Sequence, residues 1–370
     1  MSGCDFNDFE KVNKMVDYFS KWYDIKAVVS FVDPYCALAT KIAQMRNLSN
    51  FSYLAYEKMQ NKLLSRQVLD NTKYNPNYKI VDKSNYKNYD EISKMLPVVI
   101  KYIESNGSRD VYFCKDLYTY KKYLHHLFSQ FPKGILLVEE FIDGPQYIVE
   151  AVAINKKIII EAIIEQEIRF MNDHFIITGY SLVLDYPKKF YTNLKTAVDE
   201  ILEIHKLENG PCHLEIRCIN DEWKLIEINP RISGAGMNQF IQIGLGYSLV
   251  EEHLKLALNM KTNFKPRLEI NAFAEYIILS KNGILERITG RSSVLDSEGV
   301  KYVYVKPKKG TYLTTPVSLG NRYAYIIATG TSKEKAKLNA KNAAMKMKFH
   351  LMWIKMLSYN LEQHFYIYYL

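Results

Sequence analysis

Apolar residues near the start of the chain recur at helical spacing and then form a short continuous run. Five of them predict a helix over 9–24: Phe9, Val12, Met15, Val16 and Phe19. The run at 25–32 predicts a short buried strand, and Asp33-Pro34 is a signal for the start of another helix. A helix–strand–helix order is typical of an α/β segment.

The remainder of the chain mixes both kinds of pattern. Helices are predicted at 56–70, 117–131, 191–206, 247–258 and 332–349, and strands at 97–102, 111–114, 134–141, 146–154 and 157–164. Regularly spaced glycines predict strands and turns over 270–330. Thr331 or Ser332 is the expected N-cap of the last helix. We therefore predict a chain of α/β (α+β) class.

Alternation of apolar and polar residues at 213–231, on both sides of a short polar turn, predicts a β-hairpin. A turn centred on Asp221 puts Glu215 opposite Glu227 and His213 opposite Asn229. Arg217 is predicted to share their polar face. The other face is predicted to be apolar and to lie in the core: Leu214, Ile216, Cys218, Ile226 and Ile228.

The polar face of this hairpin predicts a metal site. Two carboxylates directly opposite each other repel, and a cation between them removes the repulsion. Glu215, Glu227 and the amide oxygen of Asn229 are hard oxygen ligands, which suit Mg²⁺ bound together with substrate phosphates. The alternative interpretation is a solvent-exposed face whose acidic residues have no common function, and this would account for any one of the charged residues. It would not explain acid, amide, imidazole and guanidinium groups together on one face.

Two further segments have the chemistry of nucleotide binding. Lys101 ends an apolar strand and offers a point charge to a phosphate, and the small-residue loop at 105–109 offers backbone N–H groups. The acidic segment 137–142 joins two strands and could present backbone groups to an adenine edge, although alone it is equally a plain linker. Neither a Walker A pattern nor a GxGxxG fingerprint occurs, which argues against P-loop and Rossmann nucleotide sites.

Composition narrows the class of protein. The 370 residues are 48% hydrophobic and 24% charged, as in globular proteins, and the net charge of +9 fits anionic ligands. The positive charge lacks interleaved aromatic residues, so we expect no nucleic-acid partner. Five cysteines without a CxxC pair favour a reducing compartment, and we expect a cytoplasmic protein. We predict neither a signal peptide nor a membrane-spanning helix.

The order of these segments resembles the ATP-grasp superfamily, and within it the carboxylate–amine ligases, particularly the L-amino acid ligases that make dipeptides. The resemblance covers roughly residues 25–350, and Glu227-Ile228-Asn229-Pro230-Arg231 is its most specific part. It implies an ATP-grasp fold in which two α+β subdomains clamp ATP. The implied units are a shortened N-terminal α/β domain (1–55), a small subdomain (56–145), a large subdomain with the Mg²⁺ and phosphate site (146–270) and a C-terminal subdomain (271–370).

The resemblance also implies the ATP-binding residues by position. Lys62 and Lys101 would contact the phosphates of ATP. A mobile loop would close over the triphosphate: Ser105, Asn106, Gly107, Ser108 and Arg109. The adenine-binding connector would consist of Glu139, Glu140, Phe141 and Ile142.

The metal and catalytic residues are implied in the same way. Glu215, Glu227 and Asn229 would hold Mg²⁺ (or Mn²⁺), with Glu227 bridging two ions. Arg231 would lie near the transferred phosphate, and the loop 234–236 would lie beside the acceptor. Lys101 is a further catalytic candidate and would offset negative charge together with Lys62 and Arg231. Arg217 would contact phosphate or substrate, and His213 is equally well interpreted as a structural histidine.

Three positions depart from the family pattern. Gln146 stands where many relatives have a Glu that contacts the ribose, so ATP affinity would be lower without being lost. The N-terminal domain is short, which would weaken its sheet and part of the substrate wall. The phosphate loop is brief, and Arg109-Asp110 replaces the Arg-Gly found in many relatives.

The activity that this resemblance implies is ATP-dependent joining of a carboxylate, such as that of an amino acid, to an amine through an acyl phosphate. The expected partners are small-molecule substrates and, from the family, a second copy of the chain in a homodimer. A D-alanine–D-alanine-like ligase and a carboxylase-type enzyme stay open as alternatives. A further alternative, from another class, is a catalytically weak or inactive ATP-binding regulatory module.

Overall fold

The computed structural model describes residues 5–105, 107 and 109–352. Asn106 and Ser108 of the predicted phosphate loop lie outside the described residues. The N-terminal region consists of α1 (Phe9–Ser20), α2 (Cys36–Met45), α3 (Tyr53–Gln60) and α4 (Lys62–Val68).

Two predictions for this region are wrong. Residues 25–32 form no strand, because the segment pairs with no other strand; Ala27, Val29 and Phe31 instead pack against the main core as irregular chain. The helix predicted over 56–70 is broken at Asn61. The side chain of Asn61 accepts hydrogen bonds from the backbone N–H groups of residues 63 and 64, and so caps α4 as a new helix.

A four-stranded antiparallel sheet follows, with its own apolar core. Its elements are β1 (Tyr78–Val81), α5 (Tyr89–Ser93), β2 (Val98–Tyr102), β3 (Val111–Cys114), α6 (Leu117–Gln130) and β4 (Leu136–Glu140). The strand order is β1-β4-β2-β3. Buried tyrosines and leucines of α6 pack on this sheet, and Asp116 caps the helix in a reciprocal box with Thr119.

An eight-stranded sheet forms the centre of the molecule and borders the largest apolar core. Its first part contains β5 (Gln146–Ile154), β6 (Lys157–Met171), β7 (His174–Leu182), α7 (Lys188–His205), β8 (Gly210–Ile219), β9 (Glu222–Asn229), α8 (Met237–Leu245) and α9 (Leu249–Ala257). β7 and α8 were not predicted from the sequence, and β6 is longer than the predicted strand at 157–164.

The C-terminal region completes this sheet and adds a small one. Its elements are β10 (Asn271–Ile277), β11 (Gly283–Thr289), α10 (Arg291–Leu295), β12 (Val300–Val305), β13 (Tyr312–Leu313), β14 (Ala324–Gly330), α11 (Lys333–Lys346) and β15 (Lys348–Met352), with a short 3-10 turn at Leu319–Asn321. The large sheet has the order β12-β14-β10-β7-β6-β5-β8-β9, and the small sheet has the order β13-β11-β15. Ser332 caps α11, as predicted.

The predicted hairpin is confirmed as β8–β9, with Glu215 opposite Glu227 and His213 opposite Asn229. Its turn contains two residues, Asn220 and Asp221, which both have positive φ.

A β-bulge at Ile226 shifts the pairing beyond Glu215, so Arg217 lies opposite Lys224. Ile226 therefore lines a cavity and Leu225 is fully buried in the core, contrary to the prediction for this face.

No helix among the described residues is long and apolar enough to span a membrane. The four cysteines within the described ranges are free thiols: Cys36, Cys114, Cys212 and Cys218.

Candidate active site

A cavity of about 120 Å³ lies between the four-stranded and eight-stranded sheets. Most of the residues that the sequence singled out line it. The small sheet and its loop contribute Lys101, Ser105, Gly107, Glu139 and Glu140, and the segment between the sheets contributes Phe141 and Ile142. The large sheet contributes Gln146, Glu215, Arg217 and Glu227, and α4 contributes Lys62. The fold thus brings residues from widely separated parts of the chain to one place.

The two hairpin carboxylates face each other in this cavity. Burial, followed by repulsion from Glu227, raises the pKa of Glu215 to about 7. For Glu227 burial acts in the opposite direction from the positive charges of Lys62 and Lys101, and these charges hold its pKa below the ordinary value. The Lys62 Nζ lies 3.7 Å from the Glu227 Oε1. The two carboxylates therefore repel each other, and a cation between them would remove this repulsion.

The side chains at this position suit a metal ion that is bound by protein oxygens and phosphate oxygens together. Among the described residues, no group of three or more His, Cys, Asp and Glu side chains could hold a metal ion. Glu215 and Glu227 supply two carboxylates, and Asn229 adds an amide oxygen opposite His213 on the same hairpin. A hard divalent ion at this position would complete its coordination with phosphate and water oxygens.

Gln146 connects the hairpin carboxylate Glu215 to Arg217 and, through it, to the segment between the sheets. Its Nε2 donates to the Glu215 carboxylate at 2.9 Å, and its Oε1 accepts from the Arg217 Nε at 2.8 Å. Arg217 also donates to the carbonyl of Ile142, and its guanidinium carbon lies 5.1 Å from the ring centroid of Phe141. Arg217 therefore holds the connector in position through Phe141 and Ile142.

The Glu139 side chain belongs to a buried ion-pair network. It is buried and accepts a hydrogen bond from the Arg66 Nε at 2.5 Å and an ion-pair contact from the Lys101 Nζ at 2.6 Å. The carboxylate of Glu140 accepts hydrogen bonds from the backbone and side chain of Asn77. Neither carboxylate is free for adenine, although both residues line the cavity.

Lys62 and the predicted phosphate loop are in contact. The Lys62 Nζ donates to the Ser105 carbonyl at 2.8 Å, and the Ser105 hydroxyl donates to Asp110. The backbone carbonyl of Gly107 accepts a hydrogen bond from the Leu319 N–H at 3.3 Å. The loop is therefore bound on one side by α4 and on the other by the C-terminal region. Arg109 lies exposed at its far end.

Arg231 is fixed at the end of the hairpin by Asp33. Its Nε and Nη2 both donate to the Asp33 carboxylate, the former at 2.8 Å. His213 is buried, donates from Nδ1 to the Arg231 carbonyl at 2.9 Å and has Nε2 3.3 Å from the Asn229 amide nitrogen. Burial and then the nearby Arg231 charge lower the His213 pKa to about 4, so the ring is neutral at pH 7. His213 positions Arg231 and Asn229.

A second, larger cleft of about 460 Å³ lies on the far side of Asn229. It is lined by Asp33, Glu57, Asn61, Lys62, Glu104 and Asn229, among others. Lys62 and Asn229, which are predicted to bind phosphate and metal, both line this cleft. The cleft is therefore next to the part of the cavity where phosphate and metal are predicted to bind.

Two family matches cover most of the chain. Residues 94–239 match the ATP-grasp domain, and residues 275–352 match L-amino acid ligase C-terminal domain 2. The chain therefore contains an ATP-grasp domain. The predicted ATP-grasp fold is confirmed.

Solved structures show the same fold. An L-amino acid ligase from Bacillus licheniformis superposes with a TM-score of 0.80 at 18% identity, covering 94% of this chain and 86% of that one. A phosphoribosylglycinamide synthetase from Anaerococcus prevotii gives a TM-score of 0.69 at 16% identity, covering 95% and 88%. The biotin carboxylase domain of a Hydrogenobacter thermophilus 2-oxoglutarate carboxylase, solved with MgADP and bicarbonate, gives 0.68 at 16% identity, covering 95% and 80%.

One curated relative matches along the sequence. The uncharacterized protein y4rH of Sinorhizobium fredii is 28% identical over 323 residues, which make up 85% of this chain and 66% of that protein. The ATP-grasp chain therefore spans just under two thirds of the length of this relative.

Sequence reasoning missed several residues of the ATP-grasp site. Arg66 and Asp33 hold the predicted residues Glu139 and Arg231 by ion pairs. Arg322 reaches the same sheet face from the C-terminal region, and its charge acts to lower the pKa of Glu215. These residues come from distant segments without a motif of their own. The sequence signal that pointed near Arg66 is its place in the predicted helix 56–70, four residues after Lys62.

Proposed function

We propose that this ATP-grasp protein is a ligase that joins a carboxylate, that of an amino acid, to an amine and converts ATP to ADP and phosphate. The observation that carries the proposal is the hairpin pair Glu215 and Glu227, which faces a lysine-lined cavity between two sheets. Support also comes from the match of residues 275–352 to an L-amino acid ligase domain.

The cavity has the features that an adenine nucleotide requires. Its inner end is apolar, with Phe141, Ile168, Phe175 and Ile177 on its walls. The rings of Phe141 and Phe175 are stacked with centroids 5.3 Å apart. Gln146 lies between this end and the metal pair, where the ribose of a bound nucleotide would be. Lys62 and Lys101 would then face the phosphates.

Glu215, Glu227 and Asn229 would hold Mg²⁺ or Mn²⁺. A divalent ion at this site supplies charge neutralisation for the terminal phosphates of ATP. The lysines add fixed positive charge to the same region. In a site of this kind catalysis depends on positioning and on electrostatic stabilisation.

The chemistry follows from the weakness of a carboxylate as an electrophile. In the first step a carboxylate oxygen bonds to the γ-phosphorus of ATP and ADP leaves. In the second step the amine bonds to the acyl carbon, phosphate leaves and the amine loses a proton. Arg231, held by Asp33 beside the hairpin end, would stabilise negative charge on the transferred phosphoryl group.

The cleft beside Asn229 is the proposed entrance for the carboxylate substrate. Asp33 and Lys62 line it, and it opens toward solvent past α3. One Asp33 carboxylate oxygen, Oδ1, is buried and has no hydrogen-bond partner. A substrate ammonium group would satisfy it, which favours an amino acid as the carboxylate substrate.

The test is Mg²⁺-dependent phosphate release from ATP across a matrix of paired amino acids and small carboxylic acids. Release with particular pairs, together with a condensed product detected by mass spectrometry, supports the ligase proposal and names its substrates. Release that is independent of the amine, or a phosphorylated product alone, contradicts it. ATP binding without release for any pair would favour the regulatory-module alternative.

A further inference from the structure

Arg322 is a buried cation held by aromatic rings. It follows the turn at Leu319–Asn321 and retains 8% exposure. Its guanidinium carbon lies 4.1 Å from the Tyr276 ring centroid and 5.7 Å from that of Tyr180. Nη1 donates to the Tyr180 hydroxyl at 3.2 Å, and Nε donates to the Leu319 carbonyl at 3.3 Å. These contacts fix the plane of the guanidinium group.

The described residues supply no ion-pair partner for Arg322 within 4.0 Å. Buried Arg66, in contrast, has Glu139 at 2.5 Å. A buried charge without a counter-ion is costly, so its retention needs a compensating role. Among the carboxylates of the described residues, Glu215 is the one whose charge acts on the pKa of Arg322, after burial and the two tyrosines. Glu215 is already hydrogen-bonded to Gln146 and belongs to the proposed metal pair.

The sheet register puts Arg322 beside the active site. Directly paired residues of antiparallel strands share a face, and Glu215, Ile148 and Ile164 are paired in this way across β8, β5 and β6. Gln166 lies two residues beyond Ile164 on β6 and is paired with Tyr180. The face that carries Glu215 therefore continues through Gln166 to Tyr180, which Arg322 contacts.

Gln166 is a second buried polar side chain on this face, and it has no hydrogen-bond partner among the described residues. It is 6% exposed, and neither its Nε2 nor its Oε1 makes a hydrogen bond among the described residues. Extending the β5–β6 register by one residue beyond the Tyr147–Glu165 pair puts Gln166 next to Gln146. A buried amide with both atoms unpaired is unfavourable unless a ligand satisfies it.

We propose that Arg322 and Gln166 form an anion-binding site that receives an oxyanion of the bound substrates, either a substrate carboxylate or the terminal phosphate of ATP. A guanidinium and an amide N–H₂ together supply donors in the arrangement that such oxygens accept. The inference rests on the proposed ligase function, because it assigns the substrate group that this part of the site recognises. It also assigns a catalytic-site role to the C-terminal region, through Arg322.

The first experiment measures anion binding without turnover. Thermal unfolding is followed for the wild type, Arg322→Gln and Lys306→Gln, each with and without MgADP, in sodium phosphate, sodium acetate and sodium chloride of equal ionic strength. Lys306 is the matched control, because it is an exposed cation that donates to Gly320 in the same turn.

We expect phosphate or acetate to raise the Tm above that in chloride for the wild type and for Lys306→Gln, and this increment to disappear in Arg322→Gln. An acetate effect assigns the site to a carboxylate, and an effect of phosphate alone assigns it to phosphate. An equal increment in wild type and Arg322→Gln would overturn the proposal, whether or not the protein proves to be a ligase.

The second experiment measures the KM of each substrate separately, to identify the one whose oxyanion binds at this site. Gln166→Glu puts a competing carboxylate beside Arg322 and keeps the guanidinium in place. We expect it to raise the KM of the substrate whose oxyanion binds there by about tenfold or more, with a small change in the KM of the other. Arg322→Lys should recover part of the loss in Arg322→Gln. Unchanged KM values for both substrates in folded Gln166→Glu would contradict the assignment.

Discussion

Charged side chains of the cavity are held in place by their neighbours before any ligand contacts them. Burial would lower the pKa of Lys101 and raise that of Glu139, and their mutual ion pair opposes both shifts. Arg66 adds a second positive charge to Glu139. As a result, the Lys101 ammonium group is held in one position in the cavity wall by its ion pair with Glu139.

The first prediction concerns this triad. Glu139→Gln leaves the buried Arg66 and Lys101 without a counter-charge, so we expect a loss of about 3 kcal/mol in unfolding free energy, measured by urea denaturation. Glu140→Gln is the matched control, because Glu140 is the next residue and its carboxylate accepts hydrogen bonds from Asn77, which is uncharged. An equal, small loss in both variants would contradict the role assigned to Glu139.

The second prediction concerns the metal pair. Glu227→Gln removes a proposed ligand and should lower Mg²⁺-dependent ATP turnover by about 100-fold or more. Stability should change by no more than about 1 kcal/mol, because lost attraction to Lys62 is offset by lost repulsion with Glu215. Exposed Glu222 begins the same strand, and Glu222→Gln should leave turnover unchanged. Near-normal turnover in folded Glu227→Gln would contradict the assignment of Glu227 as a metal ligand.

Part of this residue-level account could be read from the sequence. Alternation fixes which side chains share a face, so the pairing of Glu215 with Glu227 followed from local pattern alone. The contact of Glu139 with Arg66 joins residues that are 73 positions apart, and no local pattern encodes it. For the same reason the local sequence predicts a connector at Glu139 but not the ion pairs that bury its side chain.

Among the elements, β9 shows how one residue changes a strand. The bulge at Ile226 turns its side chain toward the cavity and frees its carbonyl to accept a hydrogen bond from Arg66 at 2.7 Å. Strict alternation predicts neither consequence, because a bulge is a property of the pairing between two strands. Likewise, β7 was missed because buried residues on both of its faces hide the period of two. α8 was missed although its buried residues have helical spacing, and the 25–32 run was predicted as a strand but pairs with no other strand.

The third prediction concerns the contact of α11 with β6. Burial would raise the pKa of Glu167, but hydrogen bonds from Lys337 and Lys341 lower it to about 2. A carboxylate with a lowered pKa stabilises the fold above its unfolded pKa and loses that contribution as pH falls toward the folded pKa. Glu167→Gln should therefore lower the unfolding free energy by about 1–2 kcal/mol at neutral pH, allowing for solvent screening of a partly exposed group.

This difference between wild type and Glu167→Gln should shrink as pH is lowered from about 5 toward 2, as measured by chemical denaturation at each pH. Glu165→Gln is the control on the same strand, since Glu165 pairs with Lys333 alone at a more exposed position. A pH-independent difference for Glu167→Gln would show that charge is not the cause.

For the whole molecule, the cavity depends on the meeting of three parts of the chain. The small sheet provides Lys101 and the connector, and the large sheet provides the hairpin. The C-terminal region contacts the loop at Gly107, and the charge of its Arg322 acts to lower the pKa of Glu215. The order of segments in the sequence predicted the ATP-grasp fold. It did not predict these contacts, because they depend on how the finished sheets pack.

The fourth prediction follows from this arrangement. MgADP should bind across both sheets and stabilise the folded chain by about 2.7 kcal/mol at a hundred times its Kd, seen as a rise in Tm. Glu227→Gln should reduce the increment that depends on Mg²⁺ more than the increment from ADP alone. A wild-type Tm that is unaffected by saturating MgADP would remove the nucleotide from this cavity.

The central claim is that ATP activates a carboxylate by phosphorylation, and isotope transfer tests it most directly. The carboxylate substrate found in the phosphate-release matrix is labelled with ¹⁸O in both oxygens, and the released phosphate is analysed by mass spectrometry. We predict one ¹⁸O atom in each phosphate formed together with the condensed product, and ADP as the nucleotide product. Unlabelled phosphate, or ¹⁸O in AMP, would contradict the acyl-phosphate account.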